Sequence, residues 1–236
     1  MIVGRDTRKR LVEAGYDRIA ADYLASKRPL AAQTEALLAA LIASLSPQST
    51  VLDLGCGAGV PVTRWLAERC AVTGVDLSAQ QLALARRLVP QATFIQADMA
   101  ALDFPPHTFD AVVSTYAIIH LPREEHPTLL AQVARWLKPG GGFLATWPLT
   151  AWEGEEANWS DWGATMWWSH HAPDTSLTLL VSPSRLPKSR TKVTRPSFGC
   201  WRGRTPNTVI WAMLDDAHPD ATLAATLLAV LGRHLG

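Results

Sequence analysis

The sequence predicts a doubly wound α/β protein with a mostly parallel sheet, helices at the N-terminus and a tryptophan-rich cap after the fifth strand. Three observations carry the prediction. Short, almost wholly apolar runs recur between residues 51 and 146. Segments with helical spacing separate them, as a parallel sheet buried on both faces requires. The first run ends in VLDLGCGAG, residues 51–59, a glycine-rich turn suited to joining a strand to a helix.

In chain order, helices are expected over Arg8–Ala25 and Pro29–Leu45, where Leu37, Leu38, Leu41, Ile42 and Leu45 fall at helical spacing. Ser46-Pro47 breaks the second. Strands follow at Val51–Leu54, Val72–Val75, Thr93–Ile95, Ala111–Ser114 and Gly142–Thr146, alternating with helices at Val60–Arg69, Ala79–Leu88 and Glu124–Leu137. Ser78 and Gln81 form a capping box that opens the helix at Ala79. Lys138-Pro139-Gly140-Gly141 reads as a helix stop without chemical role. Beyond Pro148 come the tryptophan-rich segment, a short helix over Asp174–Leu180, a stretch rich in proline, serine and basic residues, a late strand over Thr208–Leu214 and an amphipathic helix over Asp220–Leu235. The expected organisation is one domain, 1–236, divided into N-terminal helices (1–47), a ligand-binding core (48–148), the cap (149–182) and an irregular basic segment with the last strand and helix (183–236).

Composition narrows the function classes. Hydrophobic residues make up 48% and charged residues 18%, ordinary for a globular chain. A net charge of +1 gives no reason to expect nucleic acid as a partner, although the tail from Pro183 is basic. Seven basic residues and no acid between Arg185 and Arg204 read either as an anion- or RNA-binding patch or as a surface loop. Cys56, Cys70 and Cys200 have no CxxC spacing, so neither a metal site nor a disulfide framework is expected, and a cytoplasmic setting fits. No stretch reads as a secretory signal or approaches the roughly 20 apolar residues of a membrane span.

The glycine turn alone does not name its ligand, because its free amides suit a carboxylate or a phosphate equally well. Three acids discriminate. Asp53 stands inside the strand before Gly55, where it would repel a pyrophosphate and favour an ammonium group. Asp76, in VTGVDLS, ends the next strand where a carboxylate can accept both hydroxyl protons of a ribose. Asp98, in FIQADM, ends the third strand, where it can accept from an adenine amine while the Met99 backbone meets a ring nitrogen. Together they outline adenosine joined to an amino acid. A nicotinamide-dependent oxidoreductase is disfavoured by Asp53 and by a GxGxG spacing that differs from the dinucleotide fingerprint; a catalytically silent cofactor-binding module stays open.

From about Tyr16 to Gly142 the chain resembles the class I S-adenosylmethionine-dependent methyltransferases of small-molecule type. The matching pieces, in family order, are VLDLGCGAG, GVDLS, QADM, FDAVVSTYAIIHL and WLKPGGGFLAT, and AGYDRIAADY is similar to the segment with which many members cover their cofactor. The resemblance implies a Rossmann-like methyltransferase fold and S-adenosyl-L-methionine as cofactor, held by Tyr16, Asp53, Gly55, Cys56, Gly57, Gly59, Asp76, Leu77, Asp98, Met99 and Thr115. It implies a small-molecule methyl acceptor taking the methyl on oxygen, nitrogen or carbon, and a monomer or homodimer.

His120 follows the fourth strand and is either a general base or a loop residue bonded to a backbone carbonyl. Trp147, Trp152, Trp159, Trp162, Trp167 and Trp168 precede His170 and His171, and the segment resembles the variable cap in which family members build substrate pockets. It would serve as an aromatic wall for an apolar or cationic acceptor or as a hydrophobic lid. Acceptor contacts are expected at Tyr23, His120, Trp147, Trp168 and His170, with no metal at His170-His171. After Leu180 the resemblance fades, and the glycine turn expected there is missing.

Overall fold

A computed structural model describes residues 7–43, 45–148, 150–172 and 175, and the backbone of strands at 201–202 and 209–213. Two helices, α1 (Thr7–Ser26) and α2 (Ala32–Ala43), precede β1 (Thr50–Leu54). Then follow α3 (Val62–Ala67), β2 (Ala71–Asp76), α4 (Ala79–Leu88), β3 (Thr93–Gln96), β4 (Phe109–Ser114), α5 (His126–Trp136) and β5 (Leu137–Thr146). The chain continues into an antiparallel hairpin, β6 (Trp152–Glu156) and β7 (Met166–His170), and the strands β8 (Trp201–Arg202) and β9 (Val209–Met213).

The main sheet has the order β3-β2-β1-β4-β5-β9-β8, with β3 through β9 parallel and β8 antiparallel at the edge. The predicted doubly wound class is what forms, and the late strand pairs beside β5. Strand residues alternate between two helical layers. Leu52, Val112 and Phe143 pack with Leu129, Val133 and Trp136 of α5, whereas Val51, Ala111 and Leu144 pack with Leu38 and Leu41 of α2 and Leu66 of α3. Both faces are buried, which is why these strands are apolar throughout rather than alternating.

A third cluster joins Ile19 of α1 to Ile119, Trp159, Met166 and Trp168. Gly15 permits the contact: a Cβ there would lie 2.7 Å from Met166 Sδ. The tryptophan-rich cap is thus a hairpin to which α1 is docked.

Three sequence readings change. The strand predicted from Gly142 begins at Leu137, so Lys138-Pro139-Gly140-Gly141 ends α5 but already belongs to β5, with a register break opposite Phe109–Ala111. The first crossover helix is shorter than predicted. The capping box is only half formed: Ser78 Oγ accepts from Gln81 N at 3.1 Å, but both polar atoms of the buried Gln81 amide lack partners. The helices predicted over Asp174–Leu180 and Asp220–Leu235 and the irregular segment 183–207 lie essentially outside the described residues.

Candidate active site

The strand order reverses between β1 and β4, and above their carboxyl ends such sheets open a crevice. Here it is a cavity of about 990 Å³, bounded by the glycine turn, the ends of β2, β3 and β4, α1, the start of α2 and the cap.

The glycine turn is shaped by tertiary contacts. Gly55 has φ +74°, and a Cβ on it would come within 2.0 Å of Ala117 Cβ, so only glycine lets the loop after β4 approach. Gly57 N donates to Asp76 Oδ2 at 2.8 Å, and Ser78 N donates to Asp76 Oδ1 at 2.9 Å, tying the turn to the end of β2. Asp17 of α1 accepts from Ser78 Oγ at 2.5 Å and from Gln80 N at 3.0 Å, bringing a negative charge to the start of α4 where the helix dipole favours it.

Asp53 is 1% exposed. Its Oδ2 accepts from Thr63 Oγ1 at 2.6 Å, while Oδ1 is buried without a partner. Burial pushes its pKa up to about 7 against the opposing Thr63 hydrogen bond, with Asp76 raising it further. Asp98, at the end of β3, accepts from Ala100 N at 3.0 Å and from Lys9 Nζ at 2.8 Å. Lys9 also donates to Glu125 at 2.5 Å; burial alone would lower its pKa, but the two carboxylates outweigh it and the net shift is upward.

Tyr16 and Tyr23 of α1 meet Trp159 and Trp162 of the cap, and Trp159 in turn meets Trp168, with ring centroids 5.1–6.0 Å apart and largely edge-to-face. All five line the cavity with His120. His120 Nδ1 lies 2.7 Å from the Trp167 carbonyl, which can only accept, so Nδ1 carries the proton and Nε2 accepts from Tyr16 Oη at 2.9 Å. Burial lowers the His120 pKa to about 4, and burial, followed by nearby Tyr23 and Asp76, raises that of Tyr16 well above its usual value. The imidazole is neutral, and its single lone pair is already engaged.

Of the residues expected to meet a ligand, Tyr16, Asp53, Gly55, Cys56, Gly57, Asp76, Leu77, Asp98, Met99, Thr115, Tyr23, His120 and Trp168 line the cavity. Three do not. Gly59 (φ +75°) packs against α4, where a Cβ would sit 3.1 Å from Val89 and 3.3 Å from Ala85. Trp147 points into the α5 core against Phe143, because it continues the core-facing register of β5. His170, at the end of β7, is buried but outside the cavity wall. Among the described residues no cluster of three His, Cys, Asp or Glu could hold a metal, and no helix is long and apolar enough to cross a membrane.

Lys9, Lys27, Trp159 and Trp162 also line the cavity without having been singled out as ligand contacts. A signal for Lys9 existed: Lys9, Tyr16 and Tyr23 are spaced by seven, which puts them on one face of a helix.

The switch-point cavity, the acids at three successive strand ends and the docked N-terminal helix define an α/β protein with a ligand crevice at its switch point. Residues 51–141 match the family profile described as "Methyltransferase domain". Over this core the chain is similar to known methyltransferases. It is 41% identical over 101 residues to a trans-aconitate 2-methyltransferase of Azoarcus sp. strain BH72, covering 41% of this chain and 38% of that one. Over 133 residues it is 35% identical to a malonyl-[acyl-carrier protein] O-methyltransferase of Enterobacter lignolyticus, covering 56% and 51% of the two chains. The chain thus spans about half or less of these curated relatives. In fold it is similar to the structure of the DhpI–SAH complex, with TM-score 0.64, 21% identity and coverage of 97% and 98%. It is likewise similar to a SAM-dependent methyltransferase of Methanosarcina mazei, with TM-score 0.61, 16% identity and coverage of 89% and 100%.

Proposed function

We propose that the protein transfers the methyl group of S-adenosyl-L-methionine to an oxygen, nitrogen or carbon of a small molecule. The observation that carries this reading is the continuity of one cavity from the three strand-end acids to the aromatic wall of the cap. Its volume of about 990 Å³ stands at the upper end of the roughly 300–1,000 Å³ of ligand pockets, which suits a cofactor with an acceptor beside it.

The fit to the cofactor rests on unspent hydrogen-bonding capacity. Asp53 offers an orphaned carboxylate oxygen to an ammonium group. Asp76 is held by the amides of Gly57, Ser78 and Leu77 and Asp98 by Ala100 N and Lys9 Nζ, and an ionised carboxylate has about four acceptor sites. Asp76 therefore retains acceptors for ribose hydroxyls, and Asp98 for an adenine amine beside the Met99 backbone. When bound, the cofactor supplies a methyl group already activated by its sulfonium. What the chain adds is alignment and a water-poor wall.

In this reading Tyr16, not His120, presents the polar atom that meets the acceptor. His120 acts through it as a positioning residue, fixed by the Trp167 carbonyl. A neutral imidazole with a pKa of about 4 is a weak base, so the site favours an acceptor whose nucleophile is largely unprotonated at neutral pH.

The test is transfer of label from methyl-labelled S-adenosylmethionine into a metabolite extract, with direct titration of the cofactor alongside. We expect label incorporation, and weaker cofactor affinity in Asp76→Ala. Binding of NADH without S-adenosylmethionine would refute the reading, and cofactor binding without transfer over a broad acceptor panel would favour a silent binding module.

A further inference from the structure

A carboxyl and an ammonium line the cavity without an ion pair between them. Asp53 Oδ1 is buried and unpartnered, its sister oxygen being held by Thr63. Lys27, one residue past the end of α1, lines the same cavity. Its ammonium rests over the ring of Tyr23, 3.9 Å from the centroid, and among the described residues no carboxylate stands within ion-pair distance of it. The two groups sense each other, because Lys27 acts to lower the pKa of the buried Asp53 carboxyl.

A lysine on an aromatic face keeps its three donors largely unspent, since the ring attracts the charge but accepts no ordinary hydrogen bond. Exchanging the ring for a carboxylate is favourable in a partly desolvated cavity, because hydrogen bonds between charged groups are the stronger kind. Ala31, just before the twelve-residue helix α2, and Thr34 in its first turn line the same cavity, and the free amides at the helix start have the same electrostatic sign as Lys27. An unsatisfied acceptor and an unsatisfied donor lining one cavity are the complement of a zwitterion.

We propose that Lys27 is the counter-charge for the α-carboxylate at the methionine end of the cofactor, with Asp53 receiving the neighbouring α-ammonium. This rests on the cavity being the S-adenosylmethionine site. Lys27 thereby reads the amino-acid head, a role that the adenosine-reading acids at β2 and β3 do not supply.

The experiment is calorimetric titration of the full chain with S-adenosylhomocysteine and with 5′-methylthioadenosine, which keeps the nucleoside and sulfur but lacks the amino-acid head. In Lys27→Ala and in Lys27→Gln, whose longer stem preserves packing on Tyr23, affinity for S-adenosylhomocysteine should fall roughly tenfold to a hundredfold. Affinity for methylthioadenosine should change by less than about twofold, as no bond to Lys27 is at stake, and Lys27→Arg should restore most of the loss. Equal losses for both ligands would show that Lys27 acts only through packing and would overturn the assignment, as would no loss for either. A parent chain that binds neither ligand would overturn the cofactor reading itself and this assignment with it.

Discussion

Replacing Gly55 by alanine places a methyl group where the structure has no space for one. The residue sits at φ +74°, and the added Cβ would lie 2.0 Å from Ala117 Cβ. The left-handed backbone costs a residue with a Cβ about 1–2 kcal/mol. Overlap with Ala117 adds about 1–3 kcal/mol of overpacking, for a total of roughly 2–5 kcal/mol. Gly57 is the internal comparison, because it also has positive φ (+54°) but its added Cβ would meet nothing nearer than Gln81 Oε1 at 3.7 Å. Gly57→Ala should therefore cost only the backbone share, about 1–2 kcal/mol. Ala117→Gly in the Gly55→Ala background removes the clashing carbon and leaves Ala117 Cα at 3.4 Å as the nearest backbone atom. The double variant should recover about 1–3 kcal/mol, seen as favourable coupling in a double-mutant cycle. Urea unfolding followed by circular dichroism measures the five stabilities, those of the parent, the three single variants and the double variant. Equal losses at Gly55 and Gly57, or no coupling with Ala117, would refute the claim that close approach of the β4 loop dictates the glycine.

Acid stability provides a second prediction. His120 and His126 have pKa values lowered by burial from 6.5 to about 4, so the unfolded chain binds more protons between these limits and stability falls as the pH drops from 6.5 to 4. Each histidine contributes roughly 3 kcal/mol to that loss. Asp53, raised by burial from 3.8 to about 7, works the other way: its contribution is present at low pH and is lost as the pH rises through that window, opposing the histidines by roughly 4 kcal/mol. Asp53→Asn should accordingly steepen the acid loss measured by thermal unfolding across this range, and an unchanged slope would contradict the assignment of its carboxyl. Tyr16→Phe keeps the ring contacts with Tyr23 and Trp159 but leaves His120 Nε2 without its donor. Turnover should fall by about 10²–10⁴ with cofactor affinity nearly unchanged; parallel losses in binding and turnover would place Tyr16 on the cofactor instead.

The sheet was readable because both faces of β1, β2 and β4 are buried, so apolar runs mark them without regard to register. Asp53, Asp76 and Asp98 were readable because topology fixes where the end of a parallel strand lies: whatever residue stands there borders the crevice. The same reasoning could not show that Gly59 packs on α4, since a glycine required by a ligand and one required by a neighbouring helix leave the same letter in the sequence. That Trp147 and His170 lie outside the cavity wall was not legible, because the direction of a side chain depends on strand register, set for Trp147 by β5 and for His170 by the pairing of β6 and β7.

By itself, then, the sequence determined the order of strands and helices, the glycine turn and the acids at the strand ends, all consequences of local spacing and parallel topology. The tertiary structure alone decided which aromatic residues face the cavity, that His120 is neutral and spent on Tyr16, that Lys9 reaches Asp98, and that Asp53 and Lys27 line one cavity unpaired. These depend on contacts between residues from 26 to more than 100 positions apart in the chain. Such contacts carry no local periodicity, because packing and desolvation create them only after the chain has closed on itself.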